Sequence, residues 1–128
     1  WEDRRLGSGW NCTAQSVCSE MQLTKERFHK TDGRQYYHFV QSFAETDDLT
    51  PQEAHAIALA LVQREFPNFE VLVATHIDTD HLHSHLVVNS VSFQDGRKLH
   101  QSAADLKSAL PTVWRSFRRR RSRSSKSG

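Results

Sequence analysis

The sequence predicts an α+β fold, a two-layer sandwich in which an antiparallel sheet carries its helices on one face. Three observations lead to it. The stretch Val71 to Val91, VLVATHIDTDHLHSHLVVNSV, has Val and Leu flanks around a polar break at Asp78 to Asp80, as two strands joined by a tight turn would have. Two earlier segments have helical periodicity, and a run of aromatic and β-branched residues separates them. The elements then read α-β-α-β-β-α, an order that gives a hairpin-rich sheet with helices packed against it.

Taken in order, Trp1 to Asn11 has no clear period, and Gly7 and Gly9 mark it as turn or loop. Between Thr13 and Lys30, Val17, Met21, Thr24 and Phe28 fall on one helical stripe, with Glu20, Lys25 and Glu26 off it. Thr31, Asp32 and Gly33 end that helix, and Arg34 to Phe43 (RQYYHFVQSF) is suited to a strand. Alternation puts Tyr37, Phe39, Gln41 and Phe43 on one face as core. Tyr36, His38, Val40 and Ser42 fall on the other, available for contacts.

Thr50, Pro51 and Glu53 spell a helix start, with a threonine cap, proline in the first turn and a glutamate to complete a capping box. Ala54, Ile57, Ala58 and Leu61 continue it as an apolar stripe, widened by Leu59, Val62 and Phe66, until Pro67 and Asn68 stop it. After the histidine-rich stretch, Gln94, Asp95 and Gly96 form a turn. Ser102 to Asp105 then begins a short helix that Pro111 is expected to interrupt.

At 128 residues the chain holds one small domain with a single core. No apolar run approaches the ~18 residues of a membrane helix, and no signal segment opens the chain, so the expectation is a cytoplasmic protein with no membrane association. Cys12 and Cys18 read as reduced thiols. The net charge of +2 is uneven: residues 112–128 hold seven basic and no acidic residues, which leaves ten basic against fifteen acidic, a net of −5, in residues 1–111. The expected division is therefore a domain over residues 1–111 and a basic Arg/Ser-rich tail over 112–128, with Arg118, Arg119, Arg120 and Arg121 as candidate DNA contacts. The chain opens on Trp rather than Met, and it is expected to lack its true beginning.

Chemistry concentrates between the two hairpin strands. Four of the eight histidines, His76, His81, His83 and His85, lie within ten residues. On an extended strand His83 and His85 project from one face about 7 Å apart, near enough to share a metal ion. In an antiparallel hairpin His76 would face that pair and supply a third ligand.

The pattern His76-x-Asp78-x4-His83-x-His85-x3-Asn89 resembles the third motif of conjugative relaxases, the relaxase/mobilisation nuclease family of MobA and VirD type, within the histidine-hydrophobic-histidine endonuclease group. GRQYYHFVQSF and LTPQEAHAIAL resemble the same proteins in the same order, so the likeness covers about Asn11 to His100. It implies a relaxase-like fold and metal-dependent nicking and transfer of single-stranded DNA at an origin of transfer, in plasmid or integrative-element mobilisation. Relaxosome accessory proteins would be partners. His76, His83 and His85 would hold the divalent ion, Mg²⁺ or Mn²⁺ in the resembling enzymes with Zn²⁺ as an alternative. Asp78 would orient a ligand or help take the nucleophile's proton. His81, Asn89 and Ser42 would support the ligands or touch DNA. His81-Leu82-His83 has the hydrophobic middle residue of the group's name, but the spacing from His76 and on to Asn89 favours His83-Ser84-His85. In such enzymes a tyrosine upstream of the first helix attacks the phosphodiester. That tyrosine is expected to be missing from this chain, which leaves Tyr36 and Tyr37 as candidates on a strand the family uses as scaffold. The alternative is a remnant that binds DNA without cleaving it.

Overall fold

The computed structural model describes residues 5–43, 48–78, 81–100, 106, 108–111, 113 and 115, with the side chains of Arg5, Ile77, Asp78 and His81 outside that description. It is a mixed α+β fold built on a four-stranded antiparallel sheet. The strands are β1 (Arg5–Trp10), β2 (Tyr36–Phe43), β3 (Val71–Asp78) and β4 (His81–Asn89), in spatial order β1-β3-β4-β2. Helix α1 (Val17–Arg27), after a short 3-10 turn at Ala14–Ser16, lies between β1 and β2, and α2 (Pro51–Glu65) between β2 and β3.

Strand β1 corrects the expectation of a loop before Asn11. Leu6, Ser8 and Trp10 alternate toward the core side, opposite Thr75, Val73 and Val71, and the glycines occupy the other face. Two glycines in a short stretch weaken a strand signal, and here one answers a local crowding: a Cβ on Gly9 would overlap the Cys12 carbonyl oxygen. Trp10 Nε1 donates to the Phe66 carbonyl at 3.0 Å, which ties the strand to the end of α2.

The expected hairpin is present. β3 and β4 pair with Val73 opposite Leu86 and His76 opposite His83. Helix α2 starts as the sequence predicts: Thr50 Oγ1 accepts from the Glu53 amide at 3.1 Å, and Glu53 Oε1 accepts from the Thr50 amide at 3.0 Å. Its stripe of Ala54, Ile57, Ala58, Leu61 and Val62 packs on Phe39, Phe43, Val71, Val73, Leu86 and Val88 of the sheet. Each of these side chains is buried and apolar, at about 25 cal/mol per Å² of area removed from water, so this layer supplies most of the driving force.

Leu106 and Val113 join that core, and residues 106, 108–111, 113 and 115 are helical. Pro111 therefore does not interrupt the helix at the described positions; burial of Leu106 and Val113 offsets the one helical hydrogen bond that a proline removes. Val113 packs inside the fold although it falls within the stretch 112–128 expected as tail.

Helix α1 departs from the one-faced arrangement. Met21 and Lys25 reach Asn89, which strand alternation places on the face of β4 away from α2, so α1 covers the far end of that second face. Lys25, predicted to lie off the buried stripe, is fully buried. Its aliphatic stem covers apolar surface, and its ammonium finds partners that the sequence does not reveal. No helix among the described residues is long and apolar enough to cross a membrane.

Candidate metal and DNA site on the open sheet face

The face of the sheet turned away from α2 has two ends. At one end alternation brings out His76 from β3, His83 and His85 from β4, and His38, Val40 and Ser42 from β2, with Val40 half exposed. The register makes them neighbours: His76 stands opposite His83, Ser42 opposite His83, and Val40 opposite His85. On the other side of His85 stand Ala74 and then Gly7, too small to crowd its ring.

The rings gather closely. The His76 and His85 centroids are 5.0 Å apart and nearly parallel, and those of His76 and His83 are 5.7 Å apart. His38, not singled out as a site residue from the sequence, lies on the opposite side of His85 with ring centres 5.1 Å apart and planes within 20° of parallel. Its Nε2 lies 3.0 Å from His85 Nδ1, and Ser42 Oγ lies 3.2 Å from His83 Nδ1. Burial, reinforced by the neighbouring imidazoles of His76, His38 and His83, holds His85 below the usual histidine pKa. At neutral pH it therefore keeps the lone pair that a metal ligand needs.

Imidazole is a donor that divalent ions accept, and the ring-centre separations are compatible with sharing one ion once the rings are reoriented. Two imidazoles bound at about 2.1 Å to one ion have ring centres roughly 5 Å apart, the separation found between these rings. Orientation is a separate matter. The rings are stacked, and among the described residues no three His, Cys, Asp or Glu side chains have their donors gathered at one point. Turning the rings about their side-chain torsions, with the strands fixed, is what coordination requires.

The other candidates divide. Asp78 and His81 close the hairpin opposite each other, but their side chains lie outside the described residues, as do Arg118, Arg119, Arg120 and Arg121. Asn89 shares the strand face of His85, four residues and roughly 13 Å away along the strand. There it is buried beneath α1: its Oδ1 accepts from Lys25 Nζ at 3.0 Å, and its Nδ2 donates to Glu70 Oε1 and the Met21 carbonyl, each at 3.1 Å. Asn89 thus holds neighbouring groups of the protein.

Both tyrosines are at that far end. Tyr36 pairs with Asn89 and lies under the Lys25 ammonium, 4.0 Å from its ring centre. Tyr37 faces the core side and donates its hydroxyl to the Leu99 carbonyl at 2.8 Å. Neither is paired with or next to His76, His83 or His85 in the register of the sheet. Cys12 and Cys18 are free thiols, and Cys12 is pushed up to about 11 by burial and then by Glu20 and Glu70, which keeps it protonated at neutral pH.

An antiparallel sheet packed with helices is the α+β fold that the relaxase resemblance implies. The family model for the relaxase, MobA/VirD2-like, nuclease domain matches residues 1–120, and the chain belongs to that family. Among curated relatives it is similar to a Protein rlx of Staphylococcus aureus, 36% identical over 95 residues, covering 74% of this chain and 28% of the relative. A second Protein rlx of the same organism is 37% identical over 91 residues, covering 71% of this chain and 29% of the relative. It is also similar to the group II intron-interrupted relaxase LtrB of Lactococcus lactis subsp. cremoris, 28% identical over 97 residues, with 74% of this chain and 17% of the relative covered. The chain thus spans under a third of the length of these relatives. No solved structure matches it.

Proposed function

We propose that this chain carries the metal- and DNA-binding face of a relaxase acting at an origin of transfer, with His76, His83 and His85 as ligands of a divalent ion. The observation that carries the reading is the gathering of three imidazoles from two adjacent strands, at 5.0 and 5.7 Å between ring centres, at the end of a sheet face that no described element covers. Mg²⁺ or Mn²⁺ is the ion by family, and Zn²⁺ the alternative by ligand preference. When bound, the ion would neutralise charge on the non-bridging oxygens of the scissile phosphate. Ser42 would steady His83 through Nδ1, and Asp78, two residues beyond His76 on the same strand, would orient a ligand or take a proton. The arginines after Phe117 would add attraction to the DNA backbone that depends on salt, not on sequence.

Titration calorimetry with Mn²⁺ tests the ligand set. The chain should bind the ion, and the combined His76→Ala, His83→Ala and His85→Ala variant should lose that binding while keeping its fold; equal affinity in both proteins would refute the assignment.

A second reading, binding without cleavage by these 128 residues, is favoured by the tyrosines. With Tyr36 under Lys25 and the Tyr37 hydroxyl bonded to the Leu99 carbonyl, neither hydroxyl is held in line with a phosphate at the histidines. Incubated with Mn²⁺ and a single-stranded origin oligonucleotide, the chain should bind it and form no adduct that survives denaturing electrophoresis. A DNA-linked band that disappears on Tyr36→Phe or Tyr37→Phe would make that tyrosine the nucleophile.

A further inference from the structure

We propose that His38 is a positioning residue that sets the tautomer of His85, an inference that rests on His85 being a metal ligand. The register explains how it reaches. On β2 the outward positions are 36, 38, 40 and 42; Ser42 stands directly opposite His83, and His38 stands opposite Val87, diagonal to His85. Strand β2 thereby offers one polar group to the Nδ1 of each histidine of the His83-Ser84-His85 unit: Ser42 Oγ at 3.2 Å and His38 Nε2 at 3.0 Å.

A neutral imidazole has one proton for two nitrogens. If His85 Nδ1 carries it and donates to His38 Nε2, then His85 Nε2 bears the lone pair and is the nitrogen open to an ion. The reverse arrangement, with His38 Nε2–H donating to His85 Nδ1, places the proton on His85 Nε2 and closes it to coordination. A ligand imidazole generally donates its other N–H to a fixed acceptor, and loss of such an acceptor weakens metal binding about 10- to 100-fold. His38 is well placed for this: it is exposed on the edge strand, and its ring lies within 20° of parallel to that of His85. The two rings meet edge to edge through their hydrogen bond, and His76 lies nearly parallel to His85 with ring centres 5.0 Å apart, so His38 also limits rotation of the His85 ring.

Two substitutions separate the acceptor from the ring. His38→Phe keeps an aromatic ring and removes the acceptor, whereas His38→Gln keeps an acceptor at similar reach. Long-range proton–nitrogen correlation spectra of nitrogen-15 histidine-labelled, metal-free protein report the tautomers directly. The expected result is an Nδ1–H His85 in the original chain and in His38→Gln, and a shift toward Nε2–H in His38→Phe. Mn²⁺ affinity should fall about 10- to 100-fold in His38→Phe and stay within about threefold in His38→Gln. Thermal melts of all three proteins control for folding. An Nε2–H His85 in the original chain, or a His38→Phe protein with unchanged tautomer and unchanged affinity, would overturn the proposal. If the original chain binds neither Mn²⁺ nor Zn²⁺, the metal reading fails by itself. The spectra then still decide: a tautomer that shifts on His38→Phe keeps His38 as the group orienting His85, and one that does not removes it.

Discussion

The two ends of one sheet face, built on the same strands β2 and β4, are finished in opposite ways. At the end covered by α1, Lys25, Asn89 and Glu70 bond to one another and to the backbone: Lys25 donates to Asn89 and to the Gln35 carbonyl, and Asn89 donates to Glu70 and to the Met21 carbonyl. At the end that no described element covers, imidazoles of like charge tendency crowd one another, an arrangement with little to offer stability. Asparagine and lysine at the closed end serve the fold because their bonding capacity is spent within it. On the reading proposed above, the histidines at the open end serve a ligand and not the fold.

Breaking the closed end should have the largest effect. Asn89→Ala strands a buried ammonium and a buried carboxylate, and about 3 kcal/mol of unfolding free energy should be lost, read from urea midpoints. A loss below ~1 kcal/mol would mean that water reaches Lys25 and that the helix end is not sealed. The same measurement on His76→Ala or His83→Ala should move stability by no more than about 0.5 kcal/mol, since both side chains are only half-buried and the sheet ladder beneath them is intact. Equal losses at the two ends would erase the distinction between them.

The contrast was only partly legible in the sequence. The Thr50–Glu53 capping box and the alternation of Val71 to Val91 are local patterns, and both appear as read. The three candidate ligands were likewise placed on one face by their spacing and on neighbouring strands by the hairpin between them. What the sequence withheld depends on which strands lie side by side. His38 becomes a neighbour of His85 only because β2 pairs with β4, 47 residues away in the chain. Lys25 is buried only because Asn89 and Gln35 wait for its ammonium. Strand β1 was hidden by its glycines, which read as turn until the sheet supplies a partner strand.

The smallest effect tests the layer beneath the open end. His55 on α2 is buried, with Nε2 2.8 Å from Ser8 Oγ and Nδ1 2.8 Å from Thr75 Oγ1, which in turn is 2.8 Å from Ser84 Oγ. This chain of hydroxyls crosses from β1 through β3 to β4 directly behind His76 and between His83 and His85. Burial lowers the His55 pKa from 6.5, and burial followed by its imidazole neighbours lowers that of His85. With folded values below the unfolded one, the unfolded chain binds the extra proton first as the solution is acidified. The stability these groups contribute is complete above about pH 6.5 and is lost as the pH falls through the folded values. Urea midpoints measured in chelator from pH 8 downward should therefore hold level and then decline below that point. His55→Gln should remove part of the decline while His85→Gln removes another part, and a midpoint that rises on acidification between pH 7 and 5.5 would show that the protonated imidazole is the form the fold prefers.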